Sequence, residues 1–362
     1  MKKSLLLGCL TLLLAQTLYA KKPEPAAYNA NMVGDPIAAF KNNLGENTRA
    51  AKAFSCVNEV RPELSAETQQ LYDYAYYHDL HNIWSDEPSI LPTLARYYRI
   101  AAANGDYKAN LRLQFLLSSG LLRHKKKDEE VNALNTLLQQ SLPATAAYQR
   151  YLHIAVGIFP VDQEQAYIAL RKAVVLGSPQ AQSTLSGIIM DSQNNSKDEF
   201  RKQLSNRLLQ CASQGGHANS SEALASNLSY KKDYRAALVT SQLGAKQGNF
   251  YAIMRLREAF KLNRDAAGQA SYDYLDVEQD LERSRRYALI FDFLVELDRL
   301  DAQVFDLDEI VPLPPATLPA WDGKTNFQRW LEGPSPAKPS EALLQKLEQA
   351  KGLDPQTGFA LQ

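Results

Sequence analysis

Four times the chain spells glycine, then alanine or serine four residues on, then leucine four beyond that. The copies are Gly105-Ala109-Leu113, Gly177-Ala181-Leu185, Gly216-Ser220-Leu224 and Gly248-Ala252-Leu256. Each continues to an apolar residue at the next step: Leu117, Ile189, Leu228 and Phe260. A spacing of four keeps side chains on one face of an α-helix. A unit with one apolar helix face cannot bury it alone. Its recurrence therefore specifies a stack of helices rather than a globule.

The turn chemistry points the same way. Glycine just past a helix is the favoured left-handed cap, because no side chain clashes there. Directly after the four glycines stand Asp106, Ser178, His217 and Asn249. Asp, Ser and Asn are preferred N-caps, whose oxygens accept from the open amides of the next helix. Ser178 is followed by Pro179, and proline at the first helical position sacrifices no hydrogen bond. Each unit thus reads helix, glycine, cap, helix. Ala109, Ala181 and Ala252 leave room for close packing, and the leucines behind them fill the core. The preceding helix recurs as well: Asp162 and Ala166 stand before Gly177 as Asp233 and Ala237 stand before Gly248. The glycines are 72, 39 and 32 residues apart. Helical repeats run to ~34–47 residues, so the first gap spans two units. Ala147 and Tyr151 take the alanine and leucine places of a worn copy there.

The stretches Ala101-Ala102-Ala103-Asn104-Gly105-Asp106-Tyr107-Lys108-Ala109 and Ala245-Lys246-Gln247-Gly248-Asn249-Phe250-Tyr251-Ala252 resemble the Sel-one-like repeats, a branch of the tetratricopeptide superfamily. Thr240 and Ser241 depart from the family's preference for aromatics. The resemblance covers residues 85–265. It implies an all-α, right-handed α-solenoid of helix-turn-helix repeats whose groove binds another protein.

The flanks divide into a signal peptide (residues 1–20), a Pro-, Ala- and Asn-rich leader (21–35) and an N-terminal helical segment (36–84). The last holds a short helical piece over 36–60 that ends at Pro62, then a tyrosine-rich helix over 66–83 with Tyr72, Tyr74, Tyr76 and Tyr77. Met1-Lys2-Lys3, an apolar run over residues 5–15 and Ala20 have the build of a secretory signal. The run is short for a bilayer span. Leu6-Leu7-Gly8-Cys9 offers the alternative of a lipid anchor through Cys9. The expected location is the periplasm, and no other segment is able to cross a membrane. Removing residues 1–20 leaves 38 basic and 40 acidic residues. That near-neutrality argues against a nucleic-acid partner.

Two cysteines, Cys56 and Cys211, survive maturation. An oxidising compartment lets them pair. A regular stack, however, separates them by several repeats, beyond the ~7 Å reach of a disulfide. They meet only if the N-terminal segment folds back along the array. The simpler reading makes them two small buried residues.

A capping segment over 266–300 carries an amphipathic helix over 274–300, with Leu281, Ala288 and Val295 every seven residues beside Tyr287, Phe291 and Leu294. The stripe caps the last repeat. Alternatively it is the seam of a homodimer. Residues 301–362 form a proline-rich strap and a C-terminal helix that Ser340 caps and Gly352 ends. The prolines enforce an extended backbone with free carbonyls. Trp321, Phe327 and Trp330 either lie down against the domain or present Trp321 and Trp330 as partner anchors. Leu313-Pro314-Pro315, Leu318-Pro319-Ala320-Trp321-Asp322-Gly323 and Lys351-Gly352-Leu353-Asp354-Pro355 resemble the C-terminal module of bacterial envelope proteins that also carry these repeats.

Catalytic signatures are missing: no nucleophile elbow, phosphate-binding glycine loop or zinc-type cysteine pair occurs. His78 and His81 share a helix face, but no third ligand follows from spacing. Asp298, Asp301, Asp306, Asp308 and Glu309 lack the regular spacing of a calcium loop. The expectation is a binding protein without cofactor, metal or catalytic residues. Repeat proteins of this kind resemble immunity proteins of type VI secretion systems. That resemblance implies a secreted toxin effector, often a phospholipase, as partner. The alternative is an envelope scaffold or regulatory adaptor.

Overall fold

The computed structural model describes residues 54–83, 90–191, 199–261, 273–296 and 302–361. The signal peptide, the leader, Cys9, Asp298 and Asp301 lie outside them. The described residues form fifteen helices and no strand, apart from an isolated bridge between Leu353 and Ala360. The fold is an all-α solenoid. None of these helices is long and apolar enough to cross a membrane.

A leading helix α1 (Ala66–Asn82) is followed by five helix pairs. These are α2 (Leu91–Ala103) with α3 (Tyr107–Ser118), α4 (Lys127–Ser141) with α5 (Pro143–Ala155), and α6 (Gln163–Leu176) with α7 (Pro179–Asp191). Then come α8 (Glu199–Gln214) with α9 (Ala218–Tyr230), and α10 (Tyr234–Lys246) with α11 (Phe250–Lys261). Helix α12 (Leu281–Glu296) packs on α11. Each helix packs on its chain neighbours, as stacking requires.

All four repeat glycines are left-handed: φ is 94° at Gly105, 97° at Gly177, 95° at Gly216 and 92° at Gly248. The residue after each donates its backbone N–H to the carbonyl five residues back, closing the helix end. The same residue then opens the next helix. Asp106 accepts from Ala109 N at 2.9 Å, Ser178 from Ala181 N at 3.3 Å, and Asn249 from Ala252 N at 2.8 Å. His217, which is no standard cap, does the same with Nδ1, accepting from Ser220 N at 3.2 Å. Burial lowers its pKa, which favours the neutral ring whose nitrogen can accept. Behind the caps Ala109, Leu113, Ala181, Ala252 and Leu256 are buried, and Leu185 and Leu224 half-buried. The worn copy is the pair α4 and α5: Ala147 and Tyr151 are buried, and Pro143 and Ala144 stand in the places of glycine and cap, so the helix starts early, at Pro143, with no capping side chain.

Of the short helical piece expected over 36–60, residues 36–53 lie outside the described residues, and residues 54–64 run as an irregular strap. The strap travels backwards along the array, from α8 towards α5. Arg207 of α8 donates to Phe54 O. Gln182 of α7 donates to Val57 O at 2.9 Å, and Glu59 N donates to Gly177 O at 3.1 Å. The Glu59 carboxylate then accepts from the Thr145 amide at 3.0 Å, and from the Ala144 amide and Thr145 hydroxyl as well. The worn repeat lacks its own cap, and this distant carboxylate caps it instead. The course of the strap also corrects the expectation for the cysteines. Cys56 and Cys211 form a disulfide, with Cα atoms 5.5 Å apart. Fold-back along the array is the condition the sequence set for such a pair.

The last helix begins at Leu281, seven residues later than expected, because Asp280 caps it by accepting from Arg283 N at 2.9 Å. Its buried face is Arg283, Arg286, Tyr287, Ile290 and Leu294. Leu281 and Val295 are instead 63% and 47% exposed. At about 100° per residue the seven-residue stripe lies on the side of the helix turned away from Tyr287, Ile290 and Leu294, so the core takes that other face rather than the stripe.

The C-terminal tail closes the array. It leaves the last pair at Val304, whose N–H donates to Lys246 O at 3.0 Å. The short helix α13 (Leu307–Ile310) packs on α10. The extended proline strap follows. Its free carbonyls are taken by two buried arginines of α12. Arg286 donates to Ile310 O and Pro319 O, each at 2.7 Å. Arg283 donates to Pro312 O at 3.2 Å and to Ala316 O. Helix α14 (Asn326–Glu332) reaches α1, and α15 (Glu341–Lys351) packs on α2. Arg96 of α2 meets Glu348 at 2.7 Å, and Leu344, Leu347 and Leu353 join the core of the first pair. The end of the chain thus sits on the start of the solenoid.

Candidate protein-binding groove

The second helices of the first two pairs, with α1, line a concave groove of about 540 Å³. Its walls hold Tyr72 and Tyr76 of α1, Tyr107, Lys108, Arg112 and Phe115 of α3, and Tyr148 and Gln149 of α5. The N-terminal strap contributes Glu59 and Arg61 to the rim, and the tail contributes Gln303. A second hollow of about 500 Å³ lies over the Gly216 and Gly248 turns, with His217, Asn219, Asn249 and Phe250. Arg61, Gln180 and Gln303 border both, so the two adjoin.

The repeat positions build this surface from behind. Ala109 and Leu113 fix α3 against the core, which turns Lys108, Arg112 and Phe115 to the opposite face at helical spacing. A buried cluster then locks Arg112. Asp79 of α1 accepts from Arg112 Nε at 2.8 Å and from its terminal nitrogen at 2.9 Å. Tyr98 of α2 donates to the same carboxylate at 2.8 Å. Burial, and the Asp79 carboxylate beside it, push the Tyr98 phenol well up, so it stays a donor. Burial likewise raises Tyr72. The guanidinium of Arg112 stands 5.1 Å from the Phe115 ring centre.

The groove's charges divide into committed and available. Glu59 caps α5, and Arg112 is held in its pair with Asp79. Arg61 and Lys108 are exposed and form no ion pair among the described residues. Lys108 Nζ lies 5.9 Å from the Tyr72 ring centre. A surface of aromatic rings, side-chain amides and two available cations suits an extended acidic chain: rings give contact area, amides meet backbone groups, and cations meet carboxylates.

The remaining candidate residues lie elsewhere. Trp330 stacks on Tyr76 with ring centres 6.0 Å apart and meets Tyr77 edge-on at 5.6 Å. Trp321 donates to Lys324 O at 2.7 Å, with Arg286 5.6 Å from its ring centre. Both rings are engaged within the chain, in the lying-down arrangement. His78 Nε2 is 3.1 Å from Ser335 Oγ, and His81 Nδ1 is 2.8 Å from Tyr77 O, so tail and helix contacts occupy them. No cluster of three metal-binding side chains occurs among the described residues. Asp308 meets Lys246 at 2.6 Å, and Asp306 accepts from Asn326 N at 2.8 Å. Sequence reasoning missed Glu59, Arg61 and Gln303, because an irregular segment carries no periodicity to place it. The nearest clue was the start of α5 at Leu142-Pro143, which offers no capping side chain of its own.

Residues 252–361 match the domain of unknown function DUF6396. No curated protein sequence matches the chain. Among solved structures it resembles immunity protein PA5088 of Pseudomonas aeruginosa, with TM-score 0.52 and 22% identity over 72% of this chain and 94% of that one. Immunity protein Pa5087 of the same organism gives 0.51 and 22% over 72% and 95%. Pseudomonas aeruginosa 5086 gives 0.51 and 23% over the same shares, 72% and 95%. This chain has the fold of those proteins. At such identity the likeness is one of fold, and it spans nearly the whole of each of them.

Proposed function

We propose that the chain is an immunity-type binding protein that neutralises a secreted toxin by gripping it in the inner groove, without catalysis of its own. The carrying observation is the aromatic and amide-lined groove, with Arg61 and Lys108 exposed in it and the second hollow adjoining. The fold shared with immunity proteins supports the reading. The proposed partner segment is extended and acidic. The signal-like start supports a periplasmic site of action after removal of residues 1–20. The Cys56–Cys211 disulfide suits an oxidising compartment. A type VI effector of phospholipase type is the proposed toxin, on the strength of the sequence resemblance.

The test is co-expression, in the periplasm, with the effector encoded by the adjacent gene. The chain is expected to protect the cell and to co-purify with the toxin. Arg61→Glu and Lys108→Glu should each weaken the complex by about tenfold or more, as reversing a buried interfacial charge does. Lys172→Glu, on α6 and away from the groove, should leave it unchanged. Full toxicity with no complex would reject the reading.

A further inference from the structure

We propose that the Cys56–Cys211 disulfide is a redox latch on the groove: with the bond formed, the strap over residues 54–64 completes the rim, and with the bond open, the strap leaves it. The proposal rests on the groove reading above and adds its regulation.

The latch has three parts. The first is access. Cys56 lies on the exposed strap, whereas Cys211 is buried in α8. A thiolate therefore reaches the bond at the Cys56 sulfur. The second is the weakness of every other attachment. Val57 and Val60 are 45% and 85% exposed, so the strap's apolar hold is confined to its start, where half-buried Phe54 packs against the core cluster that holds Leu204 and Leu208, with Arg207 5.7 Å from its ring centre. Its remaining ties are hydrogen bonds at the edge of the array, from Arg207, Gln182 and the first turn of α5, and the one from Glu59 N to Gly177 O. The third is consequence. Arg61, one of the two available cations of the groove, rides on the strap, and so does Glu59, which caps the helix that carries Tyr148 and Gln149. Opening the latch thus removes a wall residue and uncaps a wall helix together. The C-terminal closure is held by buried leucines and has no such handle.

The chemistry is thiol–disulfide exchange. On closing, the Cys56 thiolate attacks a small-molecule or protein disulfide, giving a mixed disulfide and releasing one thiol. The Cys211 thiolate then attacks the Cys56 sulfur, forming the Sγ–Sγ bond and expelling the second thiol. The cysteine pair loses two electrons and two protons, and the incoming disulfide gains them. A dithiol reverses the sequence: it attacks the Cys56 sulfur, Cys211 leaves, and the second thiol closes the reagent's own disulfide as Cys56 is released. A chain still in a reducing compartment would therefore have an open rim, and would gain its grip only after export.

The experiment compares the mature chain oxidised, the same chain treated with dithiothreitol, and the Cys56→Ser/Cys211→Ser variant, by hydrogen exchange. The amide of Glu59, which donates to Gly177 O, and those of Ala144 and Thr145, which donate to the Glu59 carboxylate, should exchange about tenfold faster or more in the two open forms. Those of Ala252 and Leu344 report the global stability lost with the crosslink, and the amides tied to the strap should open at a lower free energy than these. Equal rates at the strap in all three forms would overturn the proposal, and so would strap-linked amides that open only together with Ala252 and Leu344. A second arm titrates each form with the periplasmic effector of the co-expression test. Tight binding by the oxidised chain and about tenfold weaker binding by the open forms is the expected result. A strap that opens while binding stays equal overturns the latch and leaves the groove reading standing. No binding by any form overturns the groove reading, and the latch with it.

Discussion

The N-terminal strap leaves its valines in water and is tied by one disulfide and a run of edge hydrogen bonds. The C-terminal tail crosses as many helices, yet buries Val304, Leu307, Ile310, Val311, Leu344, Leu347 and Leu353. Both segments run over glycine turns. A side chain at Gly177 would meet Val57 O at 2.7 Å, and one at Gly248 would collide with Ala302 O. The difference shows that two closures of similar course can answer to different conditions. Burial holds the tail through solvation, which no reductant touches. A covalent bond holds the strap, and the bond has a chemical switch.

The largest effect expected is on the strap. The disulfide spans 155 residues. On the chain-entropy account, a loop of that length is worth about 5 kcal/mol. Cys56→Ser/Cys211→Ser should lose that order of stability in urea unfolding, and wild type in dithiothreitol should match it. A loss below about 1 kcal/mol would mean that burial, not the bond, holds both ends. Next comes the tail. Leu344 is wholly buried, and Leu344→Ala should cost about 3 kcal/mol. The cost should be equal in oxidised and reduced protein. A cost that changed with redox state would show that the two closures are one unit.

The solenoid was legible because it is local. Gly105, Gly177, Gly216 and Gly248 with their caps act within a few residues of themselves, so the chain spells them out. The groove was legible only as a consequence of stacking. Its rim was not, because Glu59 finds its partners in the first turn of α5, which exist only once α5 has formed. The disulfide hid for the same reason: the strap's route is set by contacts across many residues and no repeat marks it. The late start of α12 was readable from Asp280, an N-cap ahead of Leu281, but the apolar residues before it, Tyr274 and Leu275, extended the apparent stripe. The proline strap's free carbonyls were visible as a need. That Arg283 and Arg286 meet it depended on tertiary packing.

A smaller effect separates covered from bare turns. Gly105 and Gly248 have nearly equal φ, 94° and 92°, but nothing lies near an added Cβ at Gly105, whereas Ala302 O blocks it at Gly248. Alanine at either site should cost about 1 kcal/mol for the left-handed backbone. Gly248→Ala should cost about 2 kcal/mol more, because the tail must shift. Thermal melts of the two variants would show it, and equal melting temperatures would mean that the tail does not press on that turn.

The smallest effect sharpens the comparison most. Glu59→Gln keeps one side-chain oxygen for the first turn of α5 but removes the charge that favours a helix N-terminus. In the oxidised chain it should cost about 1 kcal/mol, like the loss of an ordinary cap. In the Cys56→Ser/Cys211→Ser background the strap has already left, so the same change should cost almost nothing. The double-mutant cycle therefore carries a coupling close to the whole single-site effect. Full additivity would place Glu59 on α5 with or without the bond, and the strap would then be held as the tail is, by its contacts alone.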